Sequence, residues 1–253
     1  MAYNVIPVPH HVHLRHANEY PADLRFREEM LPETRFNLSY ADRPRQVFWR
    51  GTTTGKKYAD SKHAVRLWPK LYLHFTDRGR TVKLFRGTHA ISNVWFTAST
   101  EHTIPDHARE EWMRPGTRQG MLVDWYQGGR VFLDVDGNSN AWESLRWKLL
   151  AGGPVLKINS TEGHVQWYYH LLQDGLHLKV VDLNRDDVLA EASRLLDDHE
   201  GAAAMIRAAM RLSIETISAL HAREYLDDSI LRCWERQEMI AQRDWRIRKR
   251  SKG

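Results

Sequence analysis

The second half of the chain alternates short apolar runs with helical patterns. GRVFLDVDG, GPVLKI and HLKVVDL are short apolar and β-branched runs, which predict three strands. Between the first two, AWESLRWKLLAG has apolar residues at 142, 145, 149 and 150, the spacing of one helix face, and it ends in glycine. VQWYYHLL predicts another helix before the third strand. Strands that alternate with helices indicate a doubly wound parallel sheet with helices on its faces.

Two further helical stretches complete this half of the chain. The segment RDDVLAEASRLLDDHEGAAAMIRAAMRLSIETISAL predicts one or two helices, and ILRCWERQEMIAQRDWRI predicts a final helix. The sequence thus divides into an irregular segment over 1–45, an α/β domain over 46–222, and a terminal helix with a basic tail over 223–253.

The first half is less regular. QVFWRG, TVKLFRG and SNVWFTAS are short β-rich runs, and HAVRLWPKLYLHF predicts a helix followed by a strand. HTIPDHAREEWMRPG predicts a short helix with a proline near its start.

Composition restricts the protein class. The 253 residues are 42% hydrophobic and 27% charged, which is ordinary for a globular protein with a buried core. No apolar run reaches the roughly 18 residues of a membrane span, and the N-terminus lacks a signal-peptide pattern, so we expect a cytoplasmic protein. The single cysteine, Cys233, excludes a disulfide within the chain and a thiolate metal site.

The positive charge suggests an anionic partner. The net charge is +5 with a pI near 9.3, and much of the excess lies in the last segment, RDWRIRKRSKG. This tail suits peripheral contact with the inner face of a membrane, although it also fits a solvated helix end. Elsewhere the basic residues are mixed with acidic ones, so we expect no nucleic-acid partner.

Three loops should meet where the strands end, because ligands of parallel sheets bind beyond the carboxyl ends of the strands. These are the loops after FWRG, after VFLDV and after VLK. Their side chains suit a nucleotide sugar: cations for a diphosphate, short polar groups at a helix start, and aromatic rings for a base or sugar. The candidates are Arg50, Arg146 and Lys157; Asn138, Ser139 and Asn140; and Trp142, Trp167 and Tyr169.

Each candidate also has a purely structural interpretation. Asp-Gly is a common turn, asparagine and serine cap helices, and tryptophans on apolar helix faces are usually core residues. Asp134 and Asp136 share one strand face and offer a second alternative, a divalent-metal site. The histidines at positions 10, 11, 13, 16 and 63 show no recognised zinc-ligand spacing.

Over residues 46–215 the motifs resemble glycosyltransferase family 90. FWRG, VFLDVDGNSNAWESLRWKLLAGGPVLKI and QWYYHLLQDGLHLKVVDL carry the resemblance. The family includes Rumi-like protein O-glucosyltransferases, fungal capsule-associated xylosyltransferases and bacterial lipopolysaccharide-modifying enzymes. The resemblance implies a GT-B-type fold of Rossmann-like halves, here with the donor-binding half and a reduced N-terminal half.

The resemblance also implies a chemistry. It is an inverting, metal-independent transfer, without a cofactor, from a UDP-sugar such as UDP-glucose or UDP-xylose to a hydroxyl of a surface glycan such as lipopolysaccharide or capsule. By position, Arg50 and Gly51 would lie at the diphosphate and sugar, and Lys157 would follow the next strand. The remaining donor-pocket residues would be Asp136, Gly137, Asn138 and Ser139.

Two departures from the family pattern bear on activity. Where members often carry an arginine before the LLAG leucines, this chain has Leu145, with Arg146 and Lys148 as substitutes. The aspartate that serves Rumi-like members as catalytic base has no clear counterpart, and nothing selects among Asp23, Glu19 and the N-terminal histidines. The alternative is therefore a catalytically inactive module that binds nucleotide sugars or acts in assembly.

Overall fold

The computed structural model describes residues 40–55, 72–88, 90–98, 104–114, 128–140, 144–217 and 219–250. Its centre is a single sheet of five parallel strands, in the order β2-β1-β3-β4-β5. The strands are β1 (Val47–Thr52), β2 (Ser92–Ala98), β3 (Val131–Asp134), β4 (Val155–Ile158) and β5 (Lys179–Val181). The predicted α/β fold with a parallel sheet is confirmed.

Seven α-helices accompany the sheet in the described residues. They are α1 (Tyr72–Phe75), α2 (Asp77–Arg86), α3 (Asp106–Trp112), α4 (Ser144–Leu150), α5 (Val188–Asp197), α6 (His199–Glu215) and α7 (Ala219–Arg250). The prediction of helices after HTIP, within SLRWKLL, across 188–215 and at the end of the chain is confirmed. No described helix combines the length and apolar character needed to cross a membrane.

Two apolar clusters cover the two faces of the sheet. Because successive strand residues point to opposite faces, Trp49 and Leu133 belong to one cluster, whereas Phe48 and Phe132 belong to the other. Residues of α2, α3 and α5 pack on the first face, and residues of α4 and α6 pack on the second. The sheet is therefore buried on both sides, as parallel sheets require.

The strand order creates a switch point in the sheet. From β1 the chain crosses to β2 on one side, and the next strand, β3, pairs with β1 on the other side. The connections consequently leave in opposite directions and open a crevice beyond the carboxyl ends of β1 and β3. This crevice is where the fold itself places a ligand.

The prediction that TVKLFRG is β-rich is wrong, because these residues lie in or just after helix α2. The side chain of Thr76 caps the helix by accepting a hydrogen bond from the Gly79 amide at 2.9 Å. Gly79, Val82 and Phe85 are buried at a spacing of three residues, which is a helical period. The predicted strand over YLHF is likewise helix α1, and residues 63–71 of that prediction lie outside the described residues.

The predicted helix over VQWYYHLL is also wrong. Only Tyr169–Leu171 form one 3₁₀ turn, with the Leu171 amide bonded to the Tyr168 carbonyl at 3.0 Å. Gln166, Trp167 and Tyr168 are buried in succession. Three consecutive buried side chains do not fit one helix face, so the segment follows the core rather than an amphipathic helix.

Replacing Thr76 with alanine should destabilise the protein by about 0.5–2 kcal/mol, because the cap of α2 is lost. Thr76→Ser retains the hydroxyl that caps Gly79 and should recover most of this loss. Urea unfolding of the three proteins measures the effect. Equal stability of the serine and alanine variants would show that the hydroxyl does not contribute.

Candidate functional site

The loops that follow β1, β3 and β4 are joined by hydrogen bonds at one edge of the sheet. The Gly55 amide donates to Asn138 Oδ1 at 2.8 Å and so connects the first two loops. Asn140 Nδ2 donates to the Val165 carbonyl at 2.9 Å, and Gln166 Nε2 donates to Asn140 Oδ1 at 2.6 Å. The structure thus brings together the three loops that the sequence analysis selected.

The first turn of α2 joins this group of loops. Asp77 accepts hydrogen bonds from the amide of Thr161, at 3.0 Å, and from its hydroxyl, at 3.1 Å. Arg78 Nη1 donates to the Thr52 carbonyl at 3.0 Å and to Thr54 Oγ1 at 2.5 Å. Arg78 therefore lies at the crevice between β1 and β3.

Sequence reasoning missed Arg78 because TVKLFRG, the later part of α2, was taken as a β-rich run, so no helix was predicted to begin at residue 77. The signal that could have found it is the capping pattern of Thr76 followed by the buried spacing of α2, which places residues 77 and 78 in a first helical turn. The first turn of a helix after a parallel strand faces the carboxyl edge of the sheet.

Two glycines permit close packing at this edge. A Cβ on Gly137 would lie 2.4 Å from Thr54 Oγ1 and 2.9 Å from the guanidinium carbon of Arg78. A Cβ on Gly51 would lie 2.3 Å from the Trp49 indole. The Asp-Gly turn after β3 consequently rests directly against Arg78, and a larger residue at 137 would displace one of them.

Four buried charges connect β3, β4 and α4. Lys148 Nζ lies 2.5 Å from Asp134 Oδ1, and Lys157 Nζ lies 2.9 Å from Asp134 Oδ2 and 3.3 Å from Asp136 Oδ1. All four side chains are at least nine-tenths buried. The charges alternate in sign along the chain of contacts, so each ion has an opposite charge as its nearest neighbour in the cluster.

The pKa values of the cluster reflect a balance between burial and pairing. Burial alone would raise the pKa of Asp134, but Lys148 and Lys157 outweigh it and hold this pKa well below its usual range. Burial would lower the pKa of Lys157, yet Asp134 and Asp136 raise it above its ordinary value. For Lys148, burial lowers the pKa, and the nearby charges of Lys157 and Arg78 act in the same direction.

The carboxylate pair does not have the form of a metal site. Asp134 and Asp136 do share a face, as expected, but the ammonium of Lys157 lies between them and contacts both. Among the described residues, no group of three or more His, Cys, Asp or Glu side chains could hold a metal ion. His63 and the N-terminal histidines lie outside the described residues.

Arg50 is not brought to the crevice. Its guanidinium lies over the Phe48 ring, 4.5 Å from the centroid, and donates to the carbonyl and side-chain oxygens of Asn93 at 2.7 Å. Asn93 pairs with Phe48 in the sheet, two residues before Arg50. The side chain of Arg50 therefore points back toward the amino ends of the strands.

Several other candidates are core residues. Arg146 is 3% exposed on α4, and burial lowers its pKa to about 10. Leu145 is fully buried in the second apolar cluster. Trp167 is 2% exposed and packs against Tyr168 and Tyr225 at 5.5 and 5.3 Å between ring centroids.

The remaining candidates on the β3 loop are only partly defined. Ser139 is exposed, and its carbonyl accepts from the Gly137 amide at 2.9 Å. The expected helix start at 138–140 is not seen: these residues form a non-helical turn, and α4 begins at Ser144. Trp142 lies outside the described residues.

A cavity of about 210 Å³ is lined by Lys157 and Val180, which pair in β4 and β5, by the loop after β4 and by the segment before β5. Lys157 separates it from the carboxylates, and Lys157 Nζ lies 5.1 Å from the centroid of the Tyr169 ring. Burial, and then the charges of Asp134 and Asp136, raise the pKa of Tyr169 well above its ordinary value, so its hydroxyl stays protonated. The lining includes Asn159, Ser160, His164, Val165, Leu172 and Asp174.

Comparisons with known proteins add little to this geometry. No protein-family model matches the chain, and no curated protein matches its sequence. Among solved structures the chain is similar to the crystal structure of Anabaena Alr3699/HepE in complex with UDP-glucose, with 10% identity and a TM-score of 0.44. The match covers 83% of this chain and 53% of that one, so the chain spans about half the length of HepE. At this similarity, function has to be inferred from the residues of this chain, and the resemblance to family 90 stays a prediction.

Replacing Lys148 with methionine should lower the free energy of unfolding by about 3–5 kcal/mol, because it removes a partner from a buried carboxylate. Adding Asp134→Asn removes the negative charge as well. The double variant should therefore lose less stability than the sum of the losses in the two single variants. The expected coupling free energy is about 0.5–3 kcal/mol, measured by urea unfolding of all four proteins. Additive losses would show that the two charges do not stabilise each other.

Proposed function

We propose that the protein binds a nucleotide sugar in the crevice between β1 and β3 and transfers its sugar to a hydroxyl group. The observation that carries this proposal is the meeting of Arg78, the Gly137 turn and the β1 loop at the switch point of the sheet. A diphosphate binds well to a fixed guanidinium, and Arg78 supplies one at this edge of the sheet.

In this proposal Arg78 contacts the diphosphate. The formal charges of Lys148, Lys157, Asp134 and Asp136 cancel, so that cluster adds no net positive charge to the crevice. Arg78 is held by the oxygens of Thr52 and Thr54, and a guanidinium presents several donors in the planar geometry that phosphate oxygens accept. Arg78 thereby takes the role that the family resemblance gives to Arg50.

The cavity beside Lys157 suits the ring of the donor. Its volume of about 210 Å³ accommodates a nucleobase or a single sugar, and Tyr169 offers an aromatic face. Asn159 and Ser160 provide hydrogen-bonding groups at the end of β4. We therefore extend the donor site from Arg78, past Gly137 and Asn138, to this cavity.

The remaining features of the proposal follow the family resemblance. Residues 46–222 form the donor-binding domain of a GT-B-type enzyme, and residues 1–45 belong to its acceptor half. The donor is UDP-glucose or UDP-xylose, the transfer is inverting and independent of metal, and the acceptor is a surface glycan such as lipopolysaccharide or capsule. The enzyme acts in the cytoplasm, with the basic tail at the inner membrane face.

A module that binds the donor without turnover is the second candidate. Inverting transfer needs a base at the acceptor hydroxyl. Asp134 and Asp136 both bind lysine ammonium groups inside the sheet, so neither is a candidate. The base must therefore come from another residue, and Asp23 and Glu19 lie outside the described residues.

Arg78→Ala should weaken UDP-sugar binding about ten- to a hundredfold, the effect of losing hydrogen bonds to a charged group. A thermal-shift panel of UDP-, GDP- and CMP-sugars on the wild type identifies the nucleotide, and titrations then compare the variants. Arg50→Ala is the matched control and should bind like the wild type, because the Arg50 guanidinium points away from the crevice.

Loss of binding in Arg50→Ala with full binding in Arg78→Ala would show that Arg50, and not Arg78, contacts the diphosphate, as the resemblance predicts. If no nucleotide sugar shifts the unfolding temperature of the wild type, the donor assignment is wrong.

Activity should survive EDTA, since a lysine and not a metal ion bridges the two carboxylates. The assay follows release of UDP from an isotopically labelled UDP-sugar, with and without chelator. Binding without release would favour the inactive module. Loss of release in EDTA that Mn²⁺ restores would instead support the metal interpretation of Asp134 and Asp136.

A further inference from the structure

The cavity beside Lys157 is lined by two residues whose buried polar atoms have no partner in the protein. His164 Nε2 and the Tyr169 hydroxyl oxygen are shielded from solvent, and neither makes a hydrogen bond with a residue that the structure describes. Both residues belong to the lining of the cavity. A buried polar atom without a hydrogen bond destabilises a protein, so such atoms in native structures call for an external partner. The pair points to a polar ligand group in this cavity.

The charged groups of the cavity already have partners. Lys157 Nζ is held between the two carboxylates of β3 and its following turn. Asp174 Oδ1 accepts from the Val180 amide at 2.7 Å, and Asp174 Oδ2 accepts from Lys179 Nζ at 3.1 Å. Because each charge is compensated within the protein, the cavity suits a neutral part of a ligand and not its phosphates.

Much of the remaining lining is apolar, and this favours a nucleobase over a sugar. The hydrocarbon and aromatic side chains are those of Val165, Tyr169, Leu172, Leu178 and Val180. A sugar carries hydroxyl groups around its ring, and those that face hydrocarbon would lose hydrogen bonds to water without replacement. A nucleobase has two apolar faces and carries its polar atoms on its edge. Apolar walls with a few polar atoms therefore match the base.

One loop connects this cavity to the proposed diphosphate site. Thr161, in the loop after β4, binds Asp77, which directly precedes Arg78. The chain then turns at Gly163, whose φ of +69° lies in the left-handed region that favours glycine. His164 follows, at most about 11 Å along the chain from Thr161. The cavity and Arg78 are thus neighbours along the same edge of the sheet.

We infer that the cavity holds the nucleobase of the donor and that His164 and Tyr169 bind the polar edge of this base. The assignment rests on the proposed function, because it states which part of the donor enters the cavity. The pKa of Tyr169 is raised by burial, so its hydroxyl is available to donate to a carbonyl of the base. His164 Nε2 accepts the ring N–H when the imidazole proton is on Nδ1. Uracil presents a carbonyl and an N–H side by side on one edge.

Tyr169→Phe removes only the hydroxyl and tests the assignment in two ways. Without ligand the variant should resist urea at least as well as the wild type, because the lost hydroxyl makes no hydrogen bond with a described residue. Its affinity for UDP should fall about three- to tenfold, the effect of losing one neutral hydrogen bond. Tyr168→Phe is the matched control and should bind UDP like the wild type. The Tyr168 hydroxyl is also buried without a hydrogen-bond partner among the described residues, but Tyr168 does not line the cavity.

His164→Phe keeps an aromatic ring and removes the polar atom, so it should also weaken UDP binding about three- to tenfold. His164→Gln retains a hydrogen-bonding end group and should recover part of this loss. His170→Phe is the matched control, because His170 is exposed and its ring lies near Tyr225, outside the cavity. It should bind UDP like the wild type. Isothermal titration measures all of these affinities.

UDP without a sugar distinguishes the base from the sugar as the occupant of the cavity. With the base in the cavity, Tyr169→Phe and His164→Phe each lose the same factor in affinity for UDP and for UDP-glucose. Variants that bind UDP like the wild type but bind UDP-glucose more weakly would place the sugar in the cavity. That result would overturn the assignment and leave the proposed function intact. Unchanged affinity for both ligands would show that the two polar atoms do not contact the donor, and would also overturn it. A wild type that binds no nucleotide sugar would instead refute the proposed function, and the assignment with it.

Discussion

The buried chain of charges from Lys148 through Asp134 and Lys157 to Asp136 is the constraint on which the site depends. Each ion has given up its hydration, and a buried charge is tolerated only when an opposite charge and good geometry compensate for the lost water. The contacts therefore have to form together. They fix Asp134 opposite Lys157 in the pairing of β3 with β4, and they orient α4 against the same strands.

This constraint determines where the turn after β3 emerges. Asp136 is held by Lys157, so Gly137 and Asn138 leave the sheet in one direction and meet the β1 loop and Arg78. An apolar core could hold the same strands together, but hydrophobic contacts are not directional. The ion pairs are directional, because each requires a particular distance and orientation. They therefore fix the position of the turn after β3, which lines the crevice.

Sequence reasoning predicted the strands of the sheet and the convergence of the three loops, because both depend on local pattern. A buried parallel strand is a short apolar run, and its carboxyl end is defined by its direction. Sequence reasoning could not predict in which direction long side chains point. Arg50 was placed at the crevice by its position in β1, yet its guanidinium turns back to Asn93. Lys157 was expected to face a diphosphate, yet the structure directs it to two carboxylates.

The errors in secondary structure have a related origin. TVKLFRG contains β-branched and aromatic residues and has strand propensity, but the Thr76 cap and the packing of Gly79, Val82 and Phe85 override it. VQWYYHLL has the composition of an amphipathic helix only if its aromatic residues share one face. Because Trp167 and Tyr168 are both buried, tertiary packing decided the conformation.

In the proposed donor site, the position of Lys148 explains why α2 rather than α4 supplies the cation for the diphosphate. Leu145 and Lys148 are one turn apart on α4 and face the sheet side together. The arginine that the family pattern places at 145 therefore has its nearest positional substitute in Lys148. In this chain, however, the Lys148 ammonium is committed to Asp134, and removing it from that carboxylate would leave a buried charge uncompensated. A charge needed for internal balance cannot also neutralise a departing diphosphate.

Arg78 approaches the same crevice from the other side of Gly137, where backbone and hydroxyl oxygens hold its guanidinium. In the proposed donor site, the cation therefore comes from the first turn of α2 and not from α4.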